Sequence, residues 1–400
     1  MIPNRSIGIN TALLSLAICS TVALADNDER VQPEHGSHVP TSMVIDLPLS
    51  TQSFWPPSEL YDENGNFIVI GDLIKEVRPG VFQQVPHQAA LVSKNSVPPL
   101  DANGVEDPNN WFGAAPKVIR NLNLRPGSPD LDMVLYSASF GPVAGSGGTP
   151  RIPRIGESRY NLNGEAIPCP DTFPTVTQRT NYFRPSYPLQ QVPIAGFQGD
   201  GVQYDPDTGQ PFDPKDASNI PSCAATGCPG EDAIDSRRTK PITLGEWLKA
   251  KGELKIELTQ PNPKGQFTHA KFSVDLHDLI PNAVYAVWAA RPRLVPQPGV
   301  WTRRHANPLA IPNVLITDSN GHVSREFEVA NPFPDPATDT RRLRILGIAI
   351  HFHSDYQNWG ACFSRFGPGV DVHTVFNTIN SDPKVPGTIP DFTNFVTVAP

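Results

Sequence analysis

The stretch most suggestive of chemistry is Gly347-Ile-Ala-Ile-His351-Phe352-His353-Ser-Asp355-Tyr356-Gln-Asn-Trp359-Gly360. Residues two apart on a strand share a face, so His351 and His353 project together while Ile348, Ile350 and Phe352 face a core. The Cα atoms of such a pair stand roughly 6 to 7 Å apart, a span that one metal ion can close. His373, in Val370-Asp371-Val372-His373, offers a third imidazole from a later strand. The expectation is one cluster of His351, His353 and His373 holding zinc or copper, the metals that suit nitrogen-rich sites, and otherwise no cofactor. Asp355 or Asp371 beside the ion would place a carboxylate next to metal-bound water.

The same region carries groups that recognise organic ligands. Trp359, in a polar loop, and Tyr356 offer faces on which a sugar stacks, whereas Trp288 belongs to a core. Arg365 and the other arginines of this half can hold a carboxylate. A small-molecule or carbohydrate ligand is the partner these side chains imply.

Gly347 followed by His-x-His resembles the opening of the cupin motif, but the glutamate that motif carries shortly afterwards is absent. Cupin metal chemistry is therefore not implied. Gly-x-Ser-x-Gly, His-Glu-x-x-His, a phosphate loop and Cys-x-x-Cys are all missing from the chain. The formal net charge is −8, which argues against general nucleic-acid binding.

Residues 1–25 read as a cleavable signal peptide. Arg5 precedes an uncharged run, Ala23-Leu-Ala25 supplies small residues, and Asp26-Asn-Asp-Glu29 follows at once. The apolar part is shorter than the roughly 20 residues that span a bilayer, and no later segment is long enough either. A secreted or periplasmic protein is expected, without a transmembrane segment in the mature chain. Its cysteines, Cys169, Cys223, Cys228 and Cys362, then meet an oxidising compartment, where disulfides Cys223–Cys228 and Cys169–Cys362 are expected.

The elements that must position these residues are strands. Proline contributes 45 of 400 residues, about twice the ordinary usage near 5%. Such a density excludes long helices and central strand positions wherever it falls. Residues 26–42 are polar and aperiodic and read as a mobile leader, and 43–240 as a proline-rich β and loop region. Residues 241–400 read as an antiparallel β-sandwich, jelly-roll-like, with one short helix. The fold class is thus mostly β.

Alternation marks Leu254, Ile256 and Leu258, then Ala270, Phe272, Val274 and Leu276, as strands with one wet face. Val284–Ala290 is apolar on both faces and central. Asn or Asp before Gly predicts tight hairpin turns in Tyr61-Asp-Glu-Asn-Gly65, in Tyr160-Asn-Leu-Asn-Gly164, in Tyr204-Asp-Pro-Asp-Thr-Gly209 and in Asp318-Ser-Asn-Gly321. Thr243 and Glu246 predict a capped helix running to Gly252. The leading functional expectation is a secreted or periplasmic binding protein with a histidine-based metal site in the C-terminal sandwich. An extracellular metal-dependent enzyme of hydrolase type and a structural envelope or matrix protein are the alternatives.

Overall fold

The computed structural model describes residues 41–51, 55–105, 107, 113–137, 240–294, 301–335, 339, 343–354, 372–378, 392 and 395–400, and short pieces at 158–160, 166–168, 188–191, 196–197, 203–204 and 211–212. The signal peptide, the leader up to residue 40 and all four expected disulfide cysteines lie outside the described residues.

The protein is mostly β, and every pair of named strands is antiparallel. Strands β1 (Ser42–Asp46), β2 (Leu60–Tyr61), β3 (Phe67–Arg78), β4 (Val81–Val92), β5 (Val118–Asn121) and β6 (Tyr136–Ser137) come first. Short pairs follow: β7 (Ser158–Tyr160) with β8 (Ala166–Pro168), then β9 (Gly196–Phe197), β10 (Gln203–Tyr204) and β11 (Pro211–Phe212). After helix α1 (Leu244–Trp247) come β12 (Lys251–Pro261), β13 (Phe267–His277), β14 (Val284–Leu294) and β15 (Trp301–Pro308). The series closes with β16 (Val314–Ile316), β17 (Val323–Ala330), β18 (Gly347–His353) and β19 (Val372–Asn377).

Three larger sheets result. Sheet I has the order β1-β12-β13-β17, sheet II the order β15-β14-β18-β19 with β16 also on β14, and sheet III the order β5-β4-β3-β2-β6. In sheet I the alternation read from the sequence is the observed one. Leu254, Ile256, Ala270, Phe272, Val274, Leu276 and Phe327 are buried, and the intervening charged residues face outward. The inward side chains of sheet I share one hydrophobic core with Tyr285, Val287, Ala289, Ile348, Ile350 and Phe352 of sheet II. That is the sandwich expected for the second half of the chain.

The same core takes in Leu60, Ile68 and Leu91 of sheet III, and β1 pairs directly with β12. Strands on either side of residue 240 therefore build one core, and 39–400 form one compact unit. The Thr41 carbonyl accepts from Leu258 N at 2.8 Å, and β1 starts on Ser42, inside the stretch read from sequence as leader. Burial on both faces explains the uninterrupted Phe67-Ile-Val-Ile70 of β3. Ile68 and Ile70 enter the shared core, while Phe67 and Val69 pack with Tyr61 and Val92 on the other side.

Four tight turns, beginning at Asp62, Asp101, Asn262 and Asp318, share one construction. The Oδ1 of each accepts the backbone N–H groups two and four residues on. The fourth residue of each is a glycine with φ between 75° and 79°, a conformation that costs glycine little. The Asp318 turn departs from the hairpin expected there. Its flanking strands belong to different sheets, because β16 pairs with β14 and β17 with β13. Composition fixes the turn, whereas hydrogen-bond partners decide which strands it joins.

Helix α1 is shorter than its sequence signals suggest. Thr243 Oγ1 accepts from Glu246 N at 3.3 Å as an N-cap should. The Glu246 carboxylate, however, binds Lys249 at 2.7 Å instead of reaching back. Gly252 is no helix cap but a residue of β12, set tight against the core. A Cβ there would lie 2.6 Å from Leu276 Cδ2 and 3.0 Å from Leu47 Cδ1. Among the described residues, no helix is long and apolar enough to cross a membrane.

Candidate metal site

Strand β18 presents its histidines as alternation requires. Ile348, Ile350 and Phe352 enter the core, and His351 and His353 pair with Ala286 and Val284 on the opposite face of sheet II. His373 does not join them. Its cross-strand partner is Phe352, and directly opposed residues share a face, so its imidazole lies on the core side. There it packs against Phe352, with ring centroids 6.0 Å apart, and against Trp247 at 6.5 Å. A bulge between Ile350 and His351 shifts the β18–β19 register, which no local pattern in Val370–His373 reveals. One ion on the His351 and His353 face is therefore not offered His373. The other residues expected near this site, Asp355, Tyr356, Trp359, Arg365 and Asp371, lie outside the described residues.

His373 is instead part of a buried polar centre where sheet II meets the segment before β2. Its Nδ1 donates to the Glu59 main-chain carbonyl at 2.9 Å, which leaves Nε2 to face Ser354 Oγ at 3.3 Å. The Glu59 carboxylate accepts from Thr374 Oγ1 at 3.1 Å. Burial pushes the Glu59 carboxyl up, against the opposing pull of His373 and of the Thr374 bonds. A hydroxyl facing an oriented imidazole is the arrangement of a nucleophile and its base. Both Ser354 and His373 are fully buried. His351 is also sealed from water at Nδ1, which has no hydrogen-bond partner among the described residues, and its ring stacks on Trp288 at 6.1 Å. Burial first, and the nearby His373 second, push its pKa down to about 3.

The donor cluster that does converge is on the wet face of sheet I. Asp275 and His277 stand two apart on β13, and His322 follows Gly321 at the entrance to β17. Asp275 Oδ2 lies 3.2 Å from His277 Nε2, and Asp275 Oδ1 lies 2.9 Å from His322 Nε2. The imidazoles stack with centroids 4.5 Å apart and planes at 23°. One donor atom from each residue lies within 4.8 Å of the others. Burial works to raise the Asp275 carboxyl, but the hydrogen bonds from His322 and His277 outweigh it and hold it below the usual aspartate range.

Register and turn chemistry bring these residues together across 45 positions. Asp275 pairs with Ser324 and Leu276 with Val323, which sets His322 beside the end of β13. The Asp318 carboxylate holds the turn by accepting from His322 N at 2.9 Å. Leu279 N donates to Gly321 O and Asn282 N to Asp318 O, both at 3.0 Å, so the 278–282 loop and the 318–322 turn are stitched together. Gly321 has to be glycine, since a Cβ would meet Leu279 O at 2.1 Å.

The sequence carried half of this signal, because alternation already put Asp275 and His277 on one wet face. The missing half was the partner strand. A tetrahedral ion with bonds of about 2.1 Å separates its ligand atoms by about 3.4 Å. The two nitrogen–oxygen distances, 2.9 and 3.2 Å, are close to that spacing, and the three donor atoms lie within 4.8 Å of one another. Side-chain exposures of 52% for His277, 47% for Asp275 and 41% for His322 leave the cluster open to an ion from solvent.

Fold and site together define an antiparallel β-sandwich with a two-histidine, one-aspartate cluster at one end of its outer face. The chain matches no protein-family model, and no curated protein sequence matches it.

Proposed function

We propose that this is a secreted or periplasmic binding protein whose sandwich takes one divalent transition-metal ion, zinc or copper, on Asp275, His277 and His322. The observation that carries the reading is the convergence of two imidazole nitrogens on the two oxygens of one carboxylate, at 2.9 and 3.2 Å. Two imidazoles and a carboxylate form a donor set that suits zinc and accepts copper. The stitched loops hold His322 in place before any ion arrives, which lowers the ordering cost of binding.

Metal analysis of the purified protein after dialysis against zinc tests the proposal. One equivalent is expected in the wild type and its loss in His322→Ala, with the fold intact because the side chain lies outside the core on the solvent side of the sheet. Equal zinc content in wild type and His322→Ala refutes this site. The His351 and His353 pair is separated by the same assay, since its substitution leaves the equivalent in place if the ion sits on sheet I.

A further inference from the structure

The outer face of sheet I carries acidic and basic side chains on several strands, and they are not treated alike. Toward one end, Glu257 is held by Lys255 at 2.9 Å and Lys271 at 3.4 Å, and Glu326 by Lys271 at 3.1 Å. Glu328 accepts from Thr259 at 3.1 Å and Gln260 at 2.7 Å. Toward the other end, Asp46, Glu253 and Asp275 lie directly opposite one another on three adjacent strands. Neither the Asp46 nor the Glu253 carboxylate has a hydrogen bond or ion pair among the described residues. Of the lysines two residues to either side of Glu253, Lys251 is tied to Asp278 at 3.0 Å and Lys255 to Glu257 at 2.9 Å. Like charges directly opposed across a sheet destabilise it, so this row carries a cost that the lysine-paired end does not.

The imidazole pair sits against that row. Two histidines and one aspartate supply three of the four positions that zinc prefers, and a single carboxylate leaves a divalent ion with one uncompensated charge. Glu253 is opposite Asp275 and, because Lys251 is opposite His277, diagonal to His277 on the same face, a separation that a long side chain spans. Resting on the metal reading above, we propose that Glu253 is the fourth protein ligand. The site is then a closed one, with two imidazoles and two carboxylates balancing the ion's charge. A closed set leaves no position for substrate or reactive water, which makes the ion a held cargo or a structural clamp between β12, β13 and the 318–322 turn.

The test compares wild type, Glu253→Gln and Glu257→Gln, two substitutions that each remove one charge from the same face. Zinc affinity is read by competition with a chromophoric chelator, and coordination by the visible absorption of the cobalt(II) form. Glu253→Gln is expected to weaken zinc at least about tenfold and to collapse the intense tetrahedral cobalt bands as water enters. Glu257→Gln is expected to keep both. Wild-type affinity in Glu253→Gln overturns the proposal. So does weakened affinity with an unchanged cobalt spectrum, which would make Glu253 a distant charge. A wild type that takes no zinc defeats the three-ligand site itself and is read before either variant.

Discussion

His351 should make the protein acid-sensitive by a calculable amount. Its imidazole stacks on Trp288, its Nδ1 is buried with no partner among the described residues, and its pKa falls from 6.5 to about 3. Below pH 6.5 the unfolded chain binds a proton here that the native state refuses. This group's contribution is therefore complete above about pH 6.5 and is lost as pH falls toward 3, at about 1.4 kcal/mol per pH unit. Between pH 7 and pH 4.5 the loss comes to roughly 2.5 kcal/mol, a large share of ordinary domain stability. His351→Phe keeps a ring to stack on Trp288 and cannot be protonated. Urea unfolding of both proteins at the two pH values reads the difference. The variant is expected to lose roughly 2.5 kcal/mol less than the wild type on acidification. Glu59, raised by burial, acts in the opposite sense: its contribution is present below its unfolded value and lost as pH rises through its folded one. It is common to both proteins and cancels in the comparison. Equal acid losses in wild type and variant would refute the argument.

Further expectations concern other parts of the structure. Arg344, only 4% exposed, donates to the carbonyls of Phe333, Pro334, Phe392 and Phe395. Arg344→Met strands those acceptors, and denaturant unfolding should show a loss of at least about 3 kcal/mol. Gly252→Ala pushes a methyl into Leu276 and Leu47, for which thermal melts should register about 1–3 kcal/mol of overpacking. Gly321→Ala meets the Leu279 carbonyl at 2.1 Å and should displace His322, so zinc uptake falls even though no ligand is replaced. Thr243→Ala removes the cap of α1 and should cost about 1 kcal/mol.

Strand identity and facing were legible because burial alternates with a period of two. Leu254 to Leu258 and Ala270 to Leu276 show it, and so do His351 and His353 set against Ile350 and Phe352. Partnership was not legible. Nothing local tells β1 that it pairs with β12, or His322 that it will stand beside His277. His373 lands on the core side because a bulge changes the register near it, and Gly252 reads as a cap until Leu276 and Leu47 are seen pressing on it. The carboxylate and first imidazole of the candidate metal site were visible as wet-face residues, and only tertiary pairing supplied the second imidazole.

The pairing of Ser42–Asp46 with Glu253–Glu257 also dictates an order of events during folding. The hairpin of β12 and β13 can form from neighbouring sequence, but β1 must wait until a loop of some two hundred residues closes around it. Contacts of such long sequence separation slow folding, because the entropy of loop closure is lost before the contact returns any stabilisation. Until then β12 is an open edge, with unpaired backbone groups and the alternating Leu254, Ile256 and Leu258 at hand for another chain. The short strand that begins at Ser42 therefore acts as a late cover on a surface prone to aggregation.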